Sequence, residues 1–166
     1  MAIVNLNGAN LMTGLAADPK VMADPGFNGA VRNWTETIEV GSADSVNSTY
    51  AIARLPSNAR LLAHSRIYTD DLASSGAPTL DVGVFNLAGK TTITDDDDAI
   101  NNGIDAATVT DAALIGDIAD YGKKLYEYVS GQTEDPKGDL DITLTLKDAA
   151  VNVGGTITVE IFYTLD

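Results

Sequence analysis

The sequence predicts an all-β protein, an antiparallel β-sandwich, and three rows of alternating residues carry that expectation. Ile142, Leu144 and Leu146 alternate with Asp141, Thr143, Thr145 and Lys147. Ile157, Val159, Ile161, Tyr163 and Leu165 form a second apolar row at spacing two, and Leu80, Val82 and Val84 form a third. A period of two is that of a pleated strand with one side against a core. Such strands are not stable alone, so each must bury its apolar side against another sheet.

The remaining elements follow in chain order. Residues 1–30 carry Asn, Gly, Asp and Pro at short intervals, without a helical or strand period. They read either as an irregular arm anchored on a neighbouring subunit or as a long loop packed on their own domain. Ile3, Val4, Leu6, Leu11 and Met12 are the apolar residues expected to bind a partner in the first case. Residues 31–166 form the expected sandwich domain.

Within it, Trp34, Ile38 and Val40 share one parity of a first strand. Ser48 to Leu55 is a second strand, closed by Pro56, which cannot donate to a ladder. Arg60 to Thr69 reads as one long strand, apolar on both parities and so covered on both sides. From Asp95 to Tyr121, Asp, Ala and Gly dominate, and no Lys or Arg occurs between Lys90 and Lys123. Thr94 followed by acids suits a helix start, so a short helical or irregular acidic insertion is expected here. Gly122 to Val129 leans towards strand through Tyr126, Tyr128 and Val129.

Composition narrows the function. The formal net charge of −14, from 24 acidic against 10 basic residues, argues against a phosphate backbone as partner. The chain has no cysteine, which removes disulfides, thiolate metal sites and cysteine nucleophiles. The first residues lack a basic segment followed by an apolar run, so neither a signal peptide nor a membrane span is expected.

Candidate chemistry is sparse. His64 is the single histidine, too few for a triad or an HExxH zinc site, and it reads as a packed or surface residue. No nucleophile elbow, phosphate loop or dinucleotide glycine pattern occurs. The run Asp95–Asp98 is the best metal candidate, because calcium prefers clustered oxygens. It fails the EF-hand template, with Ile100 at the glycine position and Ala106 at the bidentate glutamate position. A solvated acidic loop, or a contact with a basic neighbour, is the expectation, with no metal, no cofactor and no catalytic residue. One tryptophan is few for a glycan cleft of the glycosidase type, so the chain is not expected to be an enzyme.

Leu55, Pro56, Ala59 and Leu61, followed by Thr79 through Val84 and an acidic segment, resemble tailed-bacteriophage structural proteins built as jelly-roll-like β-sandwiches. The resemblance covers about the middle third of the chain. It implies a virion component, a capsid cement or decoration protein binding the major capsid protein on the outer capsid surface, made in the host bacterial cytoplasm. It further implies a homo-oligomer, a trimer by preference. The alternative is a head-fibre, tail or receptor-binding module recognising host glycan, for which Tyr121, Tyr126 and Tyr128 are the only local aromatic concentration.

Overall fold

The computed structural model describes residues 30–165 except 88 and 90. Ile3, Val4, Leu6, Leu11 and Met12 therefore lie outside the described residues. The described chain is almost entirely strand: β1 Arg32–Val40, β2 Thr49–Pro56, β3 Ala59–Leu61, β4 Arg66–Thr69, β5 Thr79–Phe85, β6 Asp96–Asp105, β7 Thr110–Ala113, β8 Asp139–Lys147 and β9 Gly155–Leu165. Two short 3-10 turns, Ile118–Asp120 and Leu125–Tyr128, are its helical elements.

The strands form two antiparallel sheets. One runs β1-β9-β4-β7, with β3 also pairing β9; the other runs β2-β8-β5-β6. Strands adjacent in sequence thus occupy corresponding places in opposite sheets: β1 with β2, β9 with β8, β4 with β5, β7 with β6. This is the winding of a long hairpin rolled into a sandwich, the jelly-roll order expected.

The alternation is realised in the core. Leu140, Ile142, Leu144 and Leu146 of β8 and Ile157, Val159 and Ile161 of β9 are fully buried. Leu80, Val82 and Val84 meet them from β5, and Ile67 from β4. Burial of each such side chain contributes about 1.5–3 kcal/mol, so these two sheets hold one another.

Three local expectations are corrected. The span 60–69 is two strands, because the backbone turns at residues 62–65, where Ser65 N–H donates to Leu62 O at 3.0 Å. Ser65 Oγ accepts from Phe162 N–H at 2.9 Å, so a side chain takes over the ladder of β9 where the backbone leaves it. His64 sits in this turn, exposed, its ring 4.4 Å from that of Phe162.

The acidic span 95–121 is mostly strand. Ile100 and Ile104 are buried beside β5, and pairing of that strand outweighs the local preference for a helix start. Thr94 starts no helix, since β6 begins at Asp96, and the Asp95 carboxylate accepts from Asn86 N–H at 2.7 Å. Only Ile118–Asp120 turns helically, started by Asp117, which accepts from Ala119 N–H at 2.8 Å.

Residues 122–129 form no strand beyond a single bridge between Arg60 and Lys124. Glu127 accepts from Lys124 N–H at 2.7 Å and closes the second 3-10 turn. The turn buries Leu125, Tyr126 and Tyr128 at the end of the sandwich. Burying those three side chains on one side needs a helical spacing, which the strand reading could not provide.

Candidate interaction surfaces

Among the described residues, strand β1 lies at the edge of its sheet and pairs with β9 alone. Its inward parity is Arg32, Trp34, Glu36, Ile38 and Val40, opposite Tyr163, Ile161, Val159, Ile157 and Gly155. Burial fades along this row: Val40 is buried and Ile38 half-buried, while Trp34 is 38% exposed. Val31, just before the strand, is 59% exposed. The Trp34 indole is held at the mouth of the two sheets by its N–H, which donates to Ile52 O at 3.0 Å. Among the described residues, the sandwich is therefore open along the end of β1 nearest residue 30. An unpaired strand edge beside apolar side chains can take up an extended segment by adding a strand.

The outward side of the second sheet is built differently. Asp81 of β5 and Asp141, Thr143 and Thr145 of β8 point away from the core yet are buried. Part of β6 lies over the β5–β8 pair at Gly83, and Arg54 Nε donates to Asp141 Oδ1 at 2.8 Å. Along the β5–β6 pair, Val82 faces Asn101 and Val84 faces Asp96, so two steps of β5 match five of β6 and the excess bulges outward. Gly83 makes room for it: a Cβ there would stand 2.4 Å from Asp96 O and 2.6 Å from Asp97 Cα. Lys147, on the same face, pairs with Asp97 Oδ2, and Ser130 N–H donates to Asp96 Oδ2. Asp96 and Asp97 are accordingly half-buried, and of the two expectations for the run the contact with a basic neighbour, here Lys147, is the one found.

Electrostatics follow from that burial. Desolvation raises the Asp81 pKa, opposed by the hydrogen bond from Gly103 N–H at 2.8 Å. Asp96 is likewise raised, by burial and then by its hydrogen bond with Asp98. Lys147 is held protonated by its bond to Asp97. Beside this bulge a cavity of about 300 Å³ is lined by Asp98, Asn101, Asn102, Gly116, Asp117 and Asp120. Ile118, 79% exposed, and Tyr121 lie next to it in sequence.

The residues singled out from sequence distribute unevenly over these surfaces. His64 lies at the exposed turn against Phe162, apart from the acidic bulge and the Trp34 edge. Tyr126 and Tyr128 are buried, with Tyr128 Oη donating to Asp120 O at 2.9 Å, so the three tyrosines form no exposed platform. Sequence reasoning missed the open edge at Trp34, because alternation marks a side chain as inward without saying whether the partner sheet reaches it. It also missed the covered polar face, for which the glycine at position 83, inside the strand Thr79–Phe85, was the available signal.

No protein-family model matches the chain, and no curated protein matches it in sequence. Among solved structures, a chain of the cyanophage Pam1 capsid asymmetric unit is similar, with a TM-score of 0.60 at 18% identity. That match covers 90% of this chain and 96% of the other. A chain of the capsid of Ralstonia phage GP4 gives a TM-score of 0.60 at 16% identity, over 89% of this chain and 92% of that one. At such identities the likeness is one of fold, and it runs over nearly the full length of the chains compared.

Proposed function

We propose that this chain is a structural component of a tailed-bacteriophage head, a cement or decoration protein that binds the major capsid protein on the outer surface of the shell. The observation that carries this reading is the near full-length likeness to chains of two phage capsids. Two features of the chain agree with it. The open mouth at Val31 and Trp34 offers an apolar docking edge, and the net charge of −14 suits the outside of a particle better than contact with its genome. Binding would work by added interface area, in a homotrimer, with Ile3, Val4, Leu6, Leu11 and Met12 as anchors on a neighbour. The role is one of attachment, without turnover. The glycan-binding alternative receives no support from the tyrosines, two of which are buried.

The test is reconstitution. Purified chain is mixed with capsids lacking it and with host cells, and bound protein is located by electron microscopy. Saturable binding to capsids at a fixed site on the outer lattice, with none to cells, is expected. Binding to cells or glycans with none to capsids overturns the reading. Removal of residues 1–30 is expected to leave a folded domain that binds capsids at least tenfold more weakly; unchanged affinity removes the arm's role.

A further inference from the structure

We propose that the covered face of the second sheet binds a hard divalent cation, calcium, between the Asp96–Asp98 bulge and the threonines of β8. Asp96, Asp97 and Asp98 each offer a carboxylate oxygen, and these oxygens lie within 4.8 Å of one another. Adjacent acids on a regular strand would point to opposite sides. The five-for-two bulge opposite Val82–Val84 is what breaks that alternation and brings them together.

A second observation, independent of the acids, points into the same space. Thr143 and Thr145 are 1% and 2% exposed, and their hydroxyls have no hydrogen-bond partner. Across the β5–β8 ladder Thr143 faces Gly83 and Thr145 faces Asp81. Gly83 is the residue whose outward direction runs straight into Asp96 and Asp97. The two hydroxyls therefore rise from the sheet under the bulge that carries the acids. A buried hydroxyl left unpaired is unfavourable by about 1–3 kcal/mol. Two such hydroxyls on one face, beside the backbone that carries the acids, are oxygen donors available to a cation.

The charge balance agrees. Asp81, Asp96, Asp97 and Asp98 meet the single ammonium of Lys147, which occupies Asp97 Oδ2 and leaves Oδ1 for another ligand. Asp81 accepts from Gly103 N–H through Oδ1, which leaves Oδ2. The ligand set is all oxygen, carboxylate and hydroxyl, on an irregular stretch of backbone. Calcium takes 6–8 oxygens at variable angles, whereas magnesium demands near-octahedral geometry and holds its waters.

Isothermal titration of chelator-stripped, full-length protein with calcium chloride, alongside its melting temperature, tests the site. One saturable ion per chain and a raised melting temperature are expected, with magnesium at least tenfold weaker. Asp97→Asn with Asp98→Asn should lower calcium affinity at least tenfold. Asp111→Asn, at an exposed pair with Arg66 on the other sheet, should leave it unchanged. Circular dichroism of each variant shows whether it is folded. If the double variant does not fold, Thr143→Val takes its place, with a smaller loss of affinity expected. Absence of saturable heat at millimolar calcium, multiple weak sites, or equal binding by the bulge variants and the parent overturns the proposal.

Discussion

The two outward faces of the sandwich come from the same kind of sequence and end in opposite environments. On the β1-β9-β4-β7 sheet the outward residues Thr35, Thr37, Tyr68 and Glu160 stand in or near solvent. Thr37 and Thr158 share a hydrogen bond at 2.9 Å, and Arg66 is paired with Asp111. On the β2-β8-β5-β6 sheet the equivalent residues Asp81, Thr143 and Thr145 are buried beside a bulge of the same chain, and Asp141 is buried against Arg54. The difference teaches that a threonine at an outward position need not be wet. What decides is whether another segment returns across it, and here one glycine without a side chain allows that return.

The comparison can be broken at several points, the strongest first. Leu144→Ala removes an inward side chain of β8 and should destabilise by about 2–5 kcal/mol in urea unfolding. If the neighbouring Thr143 were on a wet face, the two sides of β8 would differ far more than they do in burial. Gly83→Val forces the Asp96–Asp97 backbone away and should destabilise by about 1–3 kcal/mol, as overpacking does. Thr158→Val on the solvated face should stay within about 0.5 kcal/mol of the parent. Equal effects of these two substitutions would erase the distinction between the faces.

Thr143→Val replaces an unpaired hydroxyl with a methyl of similar size. In chelator-treated protein it should be neutral or stabilising by up to about 1 kcal/mol, because no bond is lost. A clear loss of stability would show that the hydroxyl is bonded in solution.

The smallest effect is on pH dependence, again in metal-free protein. Burial raises the Asp81 pKa in the fold, so its favourable contribution is complete below the ordinary aspartate value of about 3.9 and is lost as pH rises through the folded value. Asp70 behaves in the opposite sense. Bonds from Thr156 N–H and Oγ1, both at 2.8 Å, lower its pKa, so its contribution is present above that ordinary value and lost as pH falls through the folded one. Unfolding followed from pH 3 to 7 should therefore show Asp81→Asn gaining stability relative to the parent as pH rises, and Asp70→Asn losing it.

Much of this fold was legible in the residues. The rows in β5, β8 and β9 announced both period and inward face, since side chains at spacing two must share a side of a pleated strand. Pro56 marked the end of β2 because it removes a donor. The failures have one physical origin. Asp95–Asp98 looked like the start of a helix, and 122–129 like a strand, because local propensity was weighed without the neighbour that outbids it. Ile100 and Ile104 are held by β5, and Leu125, Tyr126 and Tyr128 by the core they join. The continuous strand over 60–69 failed for a similar reason: Ser65 supplies the β9 ladder from its side chain, a substitution that no periodicity reveals.

For the candidate surfaces the sequence determined less. It named the acids at 95–98, the threonines of β8 and the tryptophan of β1, and it assigned the threonines and the tryptophan to a side of their strands. Only the tertiary structure decided that Asp96 and Asp97 roof over Thr143 and Thr145, and that Trp34 stands at an open mouth. Alternation is a property of one strand and fixes where a side chain points. Whether something lies there depends on pairing register and on segments distant in the chain, which meet only when the two sheets close.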